Sequence, residues 1–236
     1  MIVLGIDTSG YVNAVGVSEG ANVLADNSFP AKTDTLEQIV ANIDLTLKSA
    51  GISLKEVEGI GVGLGPGSWT GIKVGVTVGK MLAFSTGKPV AGIPTLEALA
   101  YNARGESPLI YAVINAGVKD MVYAARYRVK GNEVIKDGDY FAGDVRELVR
   151  MISEPVILVG SDAKQYCEII IKENSTLKAK IRAVEAMPSG AVIACLAAAW
   201  LEKGESDDTL SLTPLYLKES TARVFINKYS GLRMSS

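Results

Sequence analysis

The chain has 236 residues, 48% hydrophobic and 21% charged, which is enough apolar side chain for one large or two small cored domains. A formal net charge of −2 argues against a surface whose main task is gripping nucleic acid, because Lys and Arg contacts to phosphate dominate such affinity. There is no histidine, which removes His-based triads and His-containing zinc sites.

Apolar runs over residues 2–8, 13–18 and 22–29 predict a three-strand meander, followed by a helix over 34–50, a strand over 59–64, a helix over 68–86 and a strand over 89–93. The runs 109–115, 121–130 and 133–141 predict a second meander, followed by a helix over 144–153, a strand over 155–160, a helix over 162–172 and a strand over 180–184. The same order occurs twice, which predicts an internal duplication and an α/β fold of mixed sheets covered by helices. The longest apolar run, Ala191 to Leu201, is too short to span a bilayer and reads as a core helix ended by Lys203-Gly204. Met1 leads directly into a strand pattern, so no secretory leader is expected. Cys167 and Cys195 are too far apart for a CxxC pair and sit in apolar surroundings, as buried reduced thiols of a cytoplasmic protein do.

Gly63-Leu64-Gly65-Pro66-Gly67-Ser68-Trp69-Thr70-Gly71 joins the strand at 59–64 to the helix at 68–86. The glycines leave the amides of Gly67, Ser68 and Trp69 at a helix start, with Ser68 as N-cap, so the turn is either an anion cradle or plain turn chemistry. It lacks the Gly-Lys-Ser/Thr ending of a P-loop and the spacing of a dinucleotide fingerprint. Gly71, Gly75 and Gly79 then recur every fourth residue on one helix face, each giving up about 1 kcal/mol against alanine unless packing returns it. The stripe allows close approach either to the chain's own sheet or to a second subunit. On the preceding helix, Leu36, Ile39, Val40, Ile43 and Leu47 form a stripe open to the same two readings.

Three stretches together carry a resemblance: Ile2-Val3-Leu4-Gly5-Ile6-Asp7-Thr8-Ser9, then Gly65-Pro66-Gly67-Ser68-Trp69-Thr70-Gly71, then Ile93-Pro94-Thr95-Leu96-Glu97-Ala98-Leu99. The chain resembles the TsaB (YeaZ) family, over residues 1–105 above all and, further on, in its layout and its Pro214-Leu215-Tyr216-Leu217 ending. The resemblance implies a two-lobed actin-like, Hsp70-like ATPase (ASKHA, RNase H-like) fold. It further implies a noncatalytic dimerisation and scaffold subunit in bacterial tRNA N6-threonylcarbamoyladenosine modification. The implied partners are a second copy or the catalytic subunit TsaD, the ATPase TsaE through the complex, and tRNA mainly indirectly, with no membrane, no metal and no cofactor. Read this way, the chain divides into an N-terminal lobe at 1–105, a C-terminal lobe at 106–205 and a tail at 206–236. The resemblance implies a helical interface built from Leu36, Ile39, Val40, Ile43, Leu47, Gly71, Val74, Gly75, Val78, Gly79 and Leu82.

No residue is expected to be catalytic. Asp7, Thr8, Ser9, Gly65, Gly67 and Ser68 are read as a vestigial phosphate site, with Asp7 alternatively a strand-end cap of its own turn. The matching strand of the second lobe ends in Asn115, which brings no charge to hold a hard cation, although Asp120 offers partial compensation. Relatives place a histidine where this chain has Thr33-Asp34, and an Asp-Ala-Arg-like sequence where it has Asn115-Ala116-Gly117-Val118-Lys119-Asp120. Beyond Leu217, Lys218, Arg223, Lys228 and Arg233 stand against Glu219 alone, either a solvated tail or a contact to RNA or an acidic partner. The competing functional reading is an active small-molecule kinase or ATPase of the same superfamily, supported by Asp7 and the Gly-rich loop.

Overall fold

Glycines inside the strands, Gly5, Gly16 and Gly61, let the backbone and alanines of the helix Gly190–Leu201 lie close on them, and the computed structural model describes residues 1–31 and 35–217. Thr33-Asp34 and the basic segment from Lys218 to Arg233 lie outside the described residues. Strands β1 (Ile2–Asp7), β2 (Val12–Glu19) and β3 (Asn22–Pro30) form the expected meander. Helix α1 (Thr35–Ser49), β4 (Gly59–Gly63), α2 (Trp69–Thr86) and β5 (Val90–Ile93) complete a sheet of order β3-β2-β1-β4-β5. A helix α3 (Thr95–Asn102), which the strand-and-helix pattern above leaves unassigned, follows Pro94 at once. Proline ahead of a run of helix formers is a start signal of the kind that identifies it.

The second half repeats the plan with β6 (Leu109–Asn115), β7 (Met121–Lys130), β8 (Glu133–Lys136), β9 (Phe141–Asp144), β10 (Val156–Gly160), α4 (Ala163–Glu173), β11 (Ile181–Glu185) and α5 (Gly190–Leu201). Its sheet order, β8-β7-β6-β10-β11, is that of the first sheet shifted along the chain, so the duplication read from the sequence is present. Two expectations change. The single strand over 133–141 breaks into β8 and β9, which pair with opposite ends of β7. Asp137-Gly138-Asp139 makes the break: Gly138 takes a φ of 96°, and both Arg126 and Arg128 ion-pair with the Asp137 carboxylate. The helix over 144–153 shrinks to a 3-10 turn over Val145–Arg150, capped by Asp144 and anchored by buried Val145 and Leu148.

On one face of the first sheet α1 and α2 pack with Leu4, Ile6, Val15, Val17, Ile60 and Val62. The other face is covered by α5, from the far end of the chain, through Val3, Ala91, Ile93, Ala194 and Ala197. Conversely α3, from the first half, covers the second sheet with Leu96 and Leu99 against Ile110, Ala112, Tyr127 and Val159. The outer face of that sheet carries α4, through Tyr166 and Ile170. Helices α3 and α5 touch, forming a central layer between the sheets. Residues 206–217 return along the first sheet. Asp207 bridges to Val90 and accepts from the Gly92 amide, and Leu215 donates its amide to the Leu64 carbonyl. Among the described residues, no helix is long and apolar enough to cross a membrane.

Candidate functional site

Asp7 ends β1 fully buried and is held by three donors. Its Oδ1 accepts from the Ser9 amide at 2.8 Å and the Ser9 hydroxyl at 2.6 Å, and its Oδ2 accepts from the Thr95 hydroxyl at 2.7 Å. Burial pushes the carboxyl above the ordinary range, and the hydrogen bonds from Ser9 and Thr95 pull it back. Thr95 Oγ1 in turn accepts from the Gly65 amide, and the Thr95 amide donates to the Gly65 carbonyl at 2.8 Å. Asp7 thus caps its own turn through Ser9 and, through Thr95, ties β1 to the Gly-rich loop and to the start of α3.

The six residues of the expected phosphate site do meet, but as a packed knot. The Ser68 amide, expected to be free, donates to the Ser9 carbonyl at 2.7 Å. Gly67 sits at a φ of 156°, and a methyl group there would overlap the same carbonyl. Ser68 is the N-cap, as its position predicts, accepting from the Gly71 amide at 3.3 Å. Thr8 donates its hydroxyl to the Gly71 carbonyl at 2.7 Å, from under the helix.

The glycine stripe of α2 faces the chain's own sheet. A methyl group on Gly71 would overlap the Thr8 carbonyl, one on Gly75 the Thr8 hydroxyl and one on Gly79 the Val62 side chain. Ile39, Ile43, Leu47 and Val78 are likewise buried in that core. Of the eleven residues read as interface, Leu36 and Val40 are exposed and Gly71, Val74 and Leu82 are half-buried. The outward stripe of α2 is instead Val74, Thr77, Met81 and Phe84, at i, i+3, i+7 and i+10, with Met81 66% and Phe84 73% exposed. The pattern of apolar residues all round α2 signalled this second face; the sequence alone does not say which of the two is turned outward.

Between the lobes lies a cleft of about 490 Å³, with Ser9, Tyr11 and Trp69 on the first lobe and Asn115, Tyr123 and Ser161 on the second. Among the described residues, none that lines it is Asp, Glu, Lys or Arg. Asn115 folds into a turn of its own, accepting from the Gly117 amide at 2.7 Å. Asp120 does not compensate for it: its carboxylate pairs with Arg146 at 2.7 Å and takes no part in the cleft wall. Trp69 stacks on Tyr216 with 4.3 Å between centroids, under the Lys73 ammonium, so the Pro214–Leu217 segment braces the cleft mouth. Cys167 and Cys195 are both buried and unpaired, with their thiols pushed up by burial.

Residues 30–224 match the family model described as TsaD, tRNA N6-adenosine threonylcarbamoyltransferase. The tRNA threonylcarbamoyladenosine biosynthesis protein TsaB of Bacillus subtilis is 27% identical over 94% of this chain and 96% of its own length. The chain belongs to this family, on its TsaB (YeaZ) side. A tRNA N6-adenosine threonylcarbamoyltransferase of Tropheryma whipplei is 34% identical, over 43% of this chain but only 29% of its own length. The solved YeaZ of Pseudomonas aeruginosa superposes with a TM-score of 0.75 at 22% identity, covering 92% of this chain and 99% of that one. With the duplicated sheet order, this likeness establishes the two-lobed α/β fold of YeaZ.

Proposed function

We propose that this chain is a noncatalytic dimerisation and scaffold subunit in tRNA threonylcarbamoyladenosine biosynthesis. It pairs through α1 and α2 with a second copy or with a TsaD-type subunit, meets TsaE through that complex and touches tRNA mainly through its partners. The observation that carries this reading is the exposed apolar surface of two touching helices, Met81 and Phe84 on α2 and Leu36 and Val40 on α1. An apolar helical face of this kind is the signature of a protein partner. The names of the TsaB relatives supply the pathway. The competing kinase or ATPase reading needs an acid free to meet a metal-bound phosphate, and Asp7 has both carboxylate oxygens engaged by Ser9 and Thr95.

Light scattering on the purified chain, alone and mixed with the TsaD-type subunit of the same cell, tests the proposal. The expected result is a homodimer that converts to a one-to-one heterodimer, and a Phe84→Glu variant that stays folded but monomeric. A wild-type chain that is monomeric and ignores TsaD overturns it. A charge at buried Val78 would instead enter the core under α2 and report on folding, not on pairing.

A further inference from the structure

A second concavity adjoins the core under α4 and shares no lining residue with the interlobe cleft. Its volume is about 260 Å³, just under the roughly 300–1,000 Å³ of sites for drug-sized molecules, so its occupant is smaller than those. Its apolar wall is made by Tyr111 of β6, Phe141 of β9 and Met151, just past the 3-10 turn. The Tyr111 hydroxyl donates to the Met151 carbonyl at 3.3 Å, which holds that turn against the sheet.

The polar side comes from β7 and from the turn between β8 and β9, and it brings both signs of charge: Arg126, Asp137 and Asp139. Asp137 is already answered, its carboxylate pairing with Nε of Arg126 at 3.1 Å and Nε of Arg128 at 2.8 Å. Arg126 Nε also donates to the Asp137 carbonyl at 3.3 Å. Among the described residues, the two outer nitrogens of this guanidinium donate to no carboxylate or carbonyl. The guanidinium lies beside the Tyr111 hydroxyl, whose pKa burial raises and Arg126 pulls back. The Asp139 carboxylate is exposed and, among the described residues, has no hydrogen-bond or ion-pair partner. Lys136, at the head of the same turn, is directed instead to the Gly138 carbonyl at 2.7 Å and to the Tyr140 ring.

One uncommitted cationic edge and one uncommitted carboxylate therefore line a small, partly apolar chamber. A simple anion would meet Asp137 and Asp139, and a simple amine would meet Arg126; a molecule that carries both charges a few atoms apart answers both groups at once. We propose that this pocket binds a free zwitterionic α-amino acid with an apolar side chain, its carboxylate taken by Arg126, its ammonium by Asp139 and its side chain lodged among Tyr111, Phe141 and Met151. The scaffold role is independent of this site, since none of these residues belongs to α1 or α2.

Calorimetric titration of the full chain with L-leucine, L-methionine and L-phenylalanine tests the proposal, with glycine and with the amine and the carboxylic acid that correspond to each as probes lacking one feature. At least one of the three is expected to bind more tightly than glycine and than its own amine and acid. Asp139→Asn, which removes only an exposed charge, is expected to weaken that ligand about tenfold while the circular dichroism spectrum stays unchanged. Absence of binding by all three at millimolar concentration, an amine or acid that binds as tightly as its parent, or unchanged affinity in Asp139→Asn would each overturn the proposal. Light scattering on the same variant reads the scaffold role separately, because pairing through α1 and α2 leaves Asp139 untouched.

Discussion

Two carboxylates carry most of what single side chains decide here. Asp7 is buried with three donors aimed at it, so its removal leaves the Ser9 amide, the Ser9 hydroxyl and the Thr95 hydroxyl short of an acceptor. Asp7→Ala should lower the unfolding free energy by about 2–4 kcal/mol, and Asp7→Asn by distinctly less, because the amide oxygen still accepts from Ser9. Urea unfolding of the two variants checks this; equal losses would mean that charge rather than the donor set matters. Glu97 on α3 is the opposite case, with burial holding its carboxyl up at about 7, close to Tyr127 and Tyr140. Because the folded value lies above the unfolded one, the folded state holds this proton more tightly. Glu97 is therefore harmless below about pH 4 and costs stability as pH rises to about 7, by up to about 3 kcal/mol. Glu97→Gln should raise the urea midpoint at pH 8 and leave it nearly unchanged at pH 4. An equal gain at both values would remove ionisation as the cause.

The glycines of α2 oppose helix propensity and packing, and packing wins. Alanine at position 75 would gain about 1 kcal/mol of propensity but overlap the Thr8 hydroxyl, which is itself bonded to the Gly71 carbonyl. Gly75→Ala should therefore destabilise by about 1–2 kcal/mol without altering the oligomeric state, a pair of readouts that thermal melting and light scattering supply. Were it instead to stabilise the chain, the helix would not lie on Thr8. Periodicity made both long helices legible, since Ile39, Ile43 and Leu47 repeat at helical spacing wherever the stripe points. It did not tell an inward face from an outward one on α2, where apolar residues surround the axis and glycine permits contact on either side. The break between β8 and β9 was legible in principle, in Asp137-Gly138-Asp139, but the apolar residues around it outweighed the turn signal.

The two halves of the chain are interlocked by an exchange of helices. Gly5, Gly16 and Gly61 open the inner face of the first sheet so that the α5 backbone at Gly190 and Ala191 and the Ile193 and Ala197 region lie directly on it. Residues 1–105 alone would leave that face uncovered, and residues 106–205 alone would leave the face under α3 bare. We therefore expect one cooperative urea transition, with circular dichroism and the fluorescence of Trp69 and Trp200 coinciding, and an isolated 1–105 fragment that lacks a cooperative transition. Separate transitions, or a fragment that folds, would show that the lobes are independent. The duplicated order of strands and helices, the buried cysteines and the N-cap at Ser68 follow from the sequence, because local periodicity, hydropathy and capping chemistry are properties of neighbouring residues. The exchange of α3 and α5, the sealing of Asp7 by Thr95 and the meeting of Tyr11, Trp69 and Tyr123 at one cleft do not. Each depends on residues tens of positions apart meeting across a sheet or between lobes, and no local pattern records which distant surface an apolar face will find.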